Sequence, residues 1–371
     1  MNIEKKSFLH RVELSGFKSF GKTQAIDLNS VNIVIGSNGA GKSNFISFFK
    51  MLNYMMTGSF QSFVSKNGFA ENILYNGSKI TQTINAHLWF RNNKFNNEYI
   101  LTLEKSIEDK LIISKESMVS GSQTFNLGSG QKESYLYSDY LVHNNEKALK
   151  TILTKCRTFQ FHDTSDSSRI RNSTSLNDNS ALASDGGNIA YFLYNLKNSS
   201  DENRRYYDRI VKYVRFVVPM FEDFILEPSV FNKQQIMLRW KSKSQMDYSF
   251  NSSQLTDGSI RFIALATLFL QPPEFLPNII LIDEPELGLH PQAVDILAAM
   301  IKIAAEHSQV IVATQSARLL DSFDVDDIIV ADNDNDNCTI LRRLNRENFV
   351  HWLEDYSLSQ LWEKNILGGQ P

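Results

Sequence analysis

Cysteine is nearly absent: 371 residues hold only two, Cys156 and Cys338, far apart and in no CxxC spacing. That excludes a disulfide framework and a structural zinc site, and it points to a reducing, cytoplasmic compartment. No run approaches the ~18 apolar residues needed to cross a bilayer. The opening MNIEKKSFLHRVELSGF lacks the apolar core of a signal peptide. A soluble chain is expected, and a membrane role would need a separate partner. Excess charge of one sign is missing too: Lys and Arg number 38 against 41 Asp and Glu, a formal net charge of −3. Such a balance argues against wholesale coating of nucleic acid and leaves room only for a local basic patch. There is no internal repeat and no long heptad run.

What is present is a globular composition, 42% hydrophobic and 21% charged, enough for one large domain or two modest ones. Residues 9–20 alternate like a strand, and VNIVI at 31–35 is a short apolar strand ending in glycine. From Lys42 the period becomes helical, with Phe45, Phe48, Phe49 and Leu52 on one face. Ile84, Ala86, Leu88 and Phe90 alternate with polar residues, the turn-rich NNKFNN follows, and Tyr99, Leu101 and Leu103 resume the alternation. Residues 80–120 therefore read as an antiparallel meander. The Ser/Asn/Asp-rich stretch 164–187 reads as a loop or arm. A helix is expected after it at Asn188–Leu196, and an amphipathic one at Tyr206–Val218. Beyond residue 252 come helix 259–270, strand NIILID, helix 292–306, strand QVIVAT and a last strand in DDIIVAD. That alternation implies an α/β fold with a mostly parallel sheet and flanking helices. A final helical pattern (Phe349, Trp352, Leu353, Tyr356) precedes the terminal GGQP.

The strongest chemical signal is Gly36-Ser37-Asn38-Gly39-Ala40-Gly41-Lys42-Ser43-Asn44, a complete GxxxxGK[ST] set between a strand and a helix. Its glycines let backbone N–H groups curl around phosphates, and the helix N-terminus adds a positive dipole end. Lys42 would supply a charge to the β- and γ-phosphates of ATP, and Ser43 an oxygen to Mg²⁺. The second signal is the apolar strand 278–282 ending in Asp283-Glu284-Pro285. Two acids at a partly desolvated strand end are costly unless they work. Asp283 would position Mg²⁺, and Glu284 would be the general base that polarises the attacking water.

The third signal is Leu255-Thr256-Asp257-Gly258-Ser259, just ahead of a buried helix. Its glycine permits close backbone approach, and the helix start points a dipole at an anion; alone, such a segment is better read as a helix cap than as a site. In its place between the P-loop and the acidic strand it resembles the LSGGQ signature of ABC ATPases. With GFKSF at 16–20, PELGLHP at 285–291, Thr314-Gln315-Ser316, FQFHDTS near 160 and YSLSQLWEKN near the C-terminus, the whole chain resembles the RecF/SMC/OLD-type branch of that family. It is most similar to short bacterial ATPases that lack a long coiled coil and are often found in phage-defence operons.

The resemblance implies a single ABC-type ATPase head over 1–371. Its P-loop part is 1–80, an antiparallel β-lobe 81–155, a Q-loop region and helical arm 156–250, a signature and acidic-strand part 251–345, and a C-terminal helix 346–371. It implies ATP and Mg²⁺ as cofactors and a homodimer with ATP at the interface, each signature facing the γ-phosphate of the other copy. Gln315 stands where many ABC proteins have His, so it carries over as a phosphate sensor that cannot titrate. Gln160 is the Q-loop candidate, with His162 and Asp163 beside it as substitutes. Departures narrow the role. Residues 44–254 are too few for an SMC coiled coil, and those after Gln315 too few for the TOPRIM domain of OLD nucleases. The expected function is a dimeric ATP switch holding a separately encoded, nuclease-like effector in anti-phage defence. The alternative is a DNA-repair ATPase of RecF type. A transporter subunit is disfavoured.

Other features weigh less. Asp332-Asn-Asp334-Asn-Asp336-Asn337 starts like a calcium loop, but Asn337 and Arg343 stand where Gly and Glu are needed, so a solvated hairpin turn is expected. His162 and His290 have no metal-ligand spacing. Arg205, Arg209 and Lys212, with Arg169 and Arg171, form a basic group that could meet nucleic acid but more simply faces solvent. Trp352 and Trp362, with Tyr356 and Leu361, read as core or lid packing.

Overall fold

The computed structural model describes residues 8–91, 96–139, 141, 143–176, 181–229, 232–244 and 247–370. Most of the NNKFNN turn, and residues 177–180 of the expected loop, lie outside them. The chain forms two compact units interleaved in sequence. One comprises residues 1–158, 277–283 and 308–371, the other 159–276 and 284–307.

The first unit holds two six-stranded sheets. In one, the order is Thr339–Arg343, Ile328–Asn333, Val31–Ile35, Gln309–Ala313, Ile279–Asp283, Cys156–Phe159. Val31–Ile35 pairs in parallel with both Gln309–Ala313 and Ile328–Asn333, and Gln309–Ala313 in parallel with Ile279–Asp283. Every residue of Val31–Ile35 and Gln309–Ala313 is buried, which is why these strands read as unbroken apolar runs. Ile328–Asn333 turns back antiparallel into Thr339–Arg343, so the DNDNDN segment is the expected hairpin turn. Lys22 Nζ lies 2.8 and 2.7 Å from the Asp334 and Asp336 carboxylates there.

The other sheet is antiparallel, in the order Gln24–Asp27, Phe8–Ser15, Thr83–Arg91, Asn96–Lys105, Leu111–Ser120, Gln123–Gly128. The meander is thus one strand longer than expected, and the N-terminal strand is built into it. Alternate residues such as Ile84, Ala86, Leu88 and Phe90 point inward and join one core with Phe45, Phe48, Phe49 and Leu52 of helix Lys42–Met56. Three helices had no clear sequence signal: Phe60–Lys66, Phe69–Ile73 and Asn144–Thr154.

Two expectations are corrected here. The N-terminal strand ends at Ser15, not residue 20, because Gly16 takes φ 75° against Thr83 O, 2.0 Å from where a Cβ would sit. GFKSF is therefore a turn, with Phe17 and Phe20 buried. The single C-terminal helix is two, Val350–Asp355 and Leu358–Glu363, the second started by a Ser357 capping box. Leu361 and Trp362 are core, whereas Trp352 is 45% exposed and lies tilted at 47° to the Tyr356 ring, with centroids 6.1 Å apart.

The second unit packs helices Ile189–Asn198, Asp201–Val217, Asp257–Leu270 and Pro291–Ala305. Helix Asp201–Val217 buries Tyr207, Ile210, Val211 and Val214, as its period predicts, and starts five residues early on a Ser200 cap. Residues 262–270 of helix Asp257–Leu270 are all buried, and it packs against both Asp201–Val217 and Pro291–Ala305. The arm also contains a small antiparallel sheet, Phe221–Ile225, Arg239–Ser242 and Ser249–Asn251, tied by the rings of Phe221, Phe224, Trp240 and Phe250. Among the described residues no helix is long and apolar enough to cross a membrane.

Candidate functional site

Three neighbouring parallel strands of the first unit end side by side. Val34 is in register with Ala313, and Ala313 with Asp283. Their carboxyl ends therefore deliver three of the candidate segments together: Gly36–Asn44, Thr314–Gln315 and Asp283. Ligands in open α/β sheets bind at this edge.

Two of the three glycines in the loop after Val31–Ile35 are held against a neighbour, and Gly39 instead takes a left-handed φ of 84°. A Cβ on Gly36 would lie 2.3 Å from Ala331 O, and one on Gly41 (φ 97°) only 2.0 Å from Thr339 Oγ1. Lys42, 5% exposed, folds back so that Nζ donates to Gly36 O (2.6 Å) and Ser37 O (2.9 Å). An ammonium thus sits within the ring of the loop, while Asn38, Gly39 and Ser43 are exposed. Gln315 Nε2 donates to Asn38 Oδ1 at 2.8 Å, so the expected sensor is in contact with the loop.

Ser19 and Thr339 support this loop from behind. Thr339 Oγ1 is 2.7 Å from Ser19 Oγ and 3.1 Å from Ala40 O, and its backbone N–H donates to Ser19 O. Asn44 Nδ2 donates to Ser19 Oγ at 2.8 Å. The GFKSF turn, noticed in the sequence only as a resemblance, thus braces the phosphate loop, with Phe17 and Phe20 anchoring it in the core.

Asp283 closes its strand, and Glu284 follows with φ 43°, a left-handed conformation uncommon outside glycine. Glu284 O accepts from Leu287 N, so PELGLHP opens as a tight turn. Strained non-glycine backbone concentrates at functional positions.

In the second unit Thr256 caps helix Asp257–Leu270, its Oγ1 accepting from Ser259 N at 3.2 Å. A Cβ on Gly258 would lie 2.6 Å from Gly288 O, so the signature-like loop packs directly on the PELGLHP turn. Arg261 joins three candidate segments, donating to Phe161 O (3.2 Å), His162 O (2.8 Å) and Leu287 O (2.8 Å). Arg171 donates to the carbonyls of Thr164, Ser252 and Leu255 and to Asp257 Oδ1. Sequence reading passed over Arg261 and grouped Arg171 with solvent-facing bases. Arg171 is in fact 7% exposed, Arg169 pairs with Asp185 at 3.0 Å, and Arg209 is half-buried. Arg169, Arg205 and Lys212 are exposed, as expected of a solvent-facing group. Of the Q-loop candidates, Gln160 and His162 are exposed. Asp163 accepts from Ser165 N and Oγ, which hold its carboxyl below the usual range.

A protein-family profile described as "AAA domain, putative AbiEii toxin, Type IV TA system" matches residues 31–321. No protein of curated function matches the sequence. Among solved structures, an SMC head bound to the C-terminal winged-helix domain of ScpA is similar at TM-score 0.59 and 15% identity, over 93% of this chain and 99% of that one. An SMC head with an extended coiled coil, bound to the C-terminal domain of ScpA derived from Pyrococcus furiosus, is similar at TM-score 0.60 and 14% identity, over 94% and 99%. The profile spans most of the chain and both neighbours share its architecture: the protein belongs to this AAA-domain, AbiEii-type family and has the fold of an SMC-like ABC ATPase head.

Proposed function

We propose that this protein binds and hydrolyses ATP as a homodimeric switch. The observation that carries the reading is the convergence of Gly36–Asn44, Asp283 and Gln315 on one sheet edge, with Gln315 already bonded to Asn38. Phosphates entering the loop would take over Lys42 Nζ from the carbonyls of Gly36 and Ser37, so its charge is placed before they arrive. The exposed Ser43 hydroxyl and the Asp283 carboxylate would supply oxygen donors of the kind Mg²⁺ takes, and the ion would neutralise phosphate charge. Glu284 takes the role of general base toward the attacking water, and Gln315 orients the γ-phosphate by hydrogen bonding. Leu255–Ser259 of a second copy would cap the γ-phosphate with the dipole end of its helix. Gln160 would report the phosphate to the arm. The γ-phosphate then favours the closed dimer, and its loss releases it.

Closure is assigned to the control of a separately encoded effector, probed in its native host. The toxin–antitoxin description of the family and the second protein held by each similar SMC head support that reading. The test is phosphate release by the wild type and Glu284→Gln, followed by capture of tagged Glu284→Gln with and without ATP. Hydrolysis should fall roughly 10²–10⁴-fold, and a stoichiometric second protein should follow ATP. Wild-type turnover in Glu284→Gln would overturn the hydrolytic scheme. Recovery of nucleic acid alone would favour the DNA-repair role.

A further inference from the structure

The loop that would cap the γ-phosphate carries a carboxylate. Asp257 is the first residue of helix Asp257–Leu270, with its side chain 66% exposed. Hydrogen bonds from the Thr164 hydroxyl and from Arg171 hold its carboxyl below the usual range, and Arg261 adds to this at longer range. A negative charge in the first turn satisfies the helix dipole that an incoming phosphate would otherwise use, and it repels the phosphate directly.

Arg171 opposes both effects. It engages four of its five N–H donors. Nε donates to Thr164 O (2.6 Å), Nη1 to Ser252 O and to Leu255 O (3.1 Å), and Nη2 to Asp257 Oδ1 (2.8 Å). Its own carbonyl accepts from the buried Ser252 Oγ at 2.7 Å. One buried guanidinium therefore fixes the backbone leading into the loop and supplies the charge that offsets Asp257. Arg261, the other arginine here, bonds to the segments on either side and to neither Ser252 nor Leu255.

We propose that the Arg171–Asp257 pair sets how tightly the signature-like loop takes the γ-phosphate presented by a second copy. Asp257 weakens that capture, making closure selective. Arg171 is the positioning residue that keeps it possible, by neutralising Asp257 and holding Ser252 and Leu255. This rests on the dimer reading above and adds its specificity determinant.

The test uses full-length Glu284→Gln, with ATP-dependent dimerisation read by sedimentation and binding in the copy's own loop read with a fluorescent ATP analogue. Asp257→Asn is nearly isosteric at an exposed position and leaves the fold intact. It should tighten dimerisation about tenfold without changing binding in the own loop. Arg171→Met should loosen it about tenfold or more. Adding Asp257→Asn to Arg171→Met should recover most of that loss, which a purely structural arginine would not allow. An unchanged or weaker dimer with Asp257→Asn, or no recovery in the double variant, overturns the proposal. A Glu284→Gln parent that binds ATP but stays monomeric overturns the dimer reading itself, and the pair with it.

Discussion

The phosphate loop and the signature-like loop, both proposed above to meet a phosphate, are held by opposite means. Around Gly36–Asn44 the supports are short and neutral: glycines pressed on Ala331 and Thr339, and hydroxyls of Ser19 and Thr339 behind the backbone. The one charged residue of the loop, Lys42, is bonded to the loop's own carbonyls. Around Leu255–Ser259 the supports are two arginines gripping backbone carbonyls from several segments. A loop braced by packing and hydroxyls is shaped in advance for one ligand. A loop held by long ionic side chains depends on where its neighbours are, which suits the proposed part it plays toward the arm and a second subunit.

The contrast can be broken from either side. Lys42→Ala removes the only charge in the first loop and should weaken ATP binding roughly 100-fold, measured by equilibrium titration. Retained binding would mean that the backbone cradle suffices. Arg261→Met frees the carbonyls of Phe161, His162 and Leu287 together. It should lower steady-state hydrolysis on the order of tenfold while leaving ATP affinity unchanged, because every group it holds lies outside the phosphate loop. An equal loss of affinity would erase the division of labour. Thr339→Val keeps the shape that fills the space beside Gly41 and removes the hydroxyl facing Ser19 and Ala40. About a threefold weaker ATP affinity is expected, and an effect as large as that of Lys42→Ala would make the brace, not the charge, the principal determinant.

The same contrast explains what could be read from the sequence. The phosphate loop is contiguous, so its glycines, lysine and flanking strand and helix declared themselves within nine residues. The parallel strands were legible because burial on both faces leaves unbroken apolar runs. The helix faces at Phe45–Leu52 and Tyr207–Val214 were legible because their period is local. What escaped depends on distant contacts. Gly16 bends the chain because Thr83 stands behind it, and Ser19 braces the loop in company with Thr339, 320 residues on. Arg171 sits in a polar stretch that reads as solvent-facing, and its burial follows from carbonyls 81 to 84 residues away. The C-terminal pattern was split because Tyr356 is extended and Ser357 caps a new helix.

The central claim is that ATP on Gly36–Asn44 of one copy meets Leu255–Ser259 of another. It is tested most directly by mixing two Glu284→Gln chains, one carrying Asn38→Cys and the other Ser259→Cys, and adding a short bis-maleimide cross-linker. Asn38 is exposed, Ser259 half-buried at its helix start, and the native Cys156 and Cys338 are both buried. Cross-linking between unlike chains with ATP, and its absence with ADP or without nucleotide, is the predicted result. A dimer that forms with ATP yet never links these two positions would contradict the account.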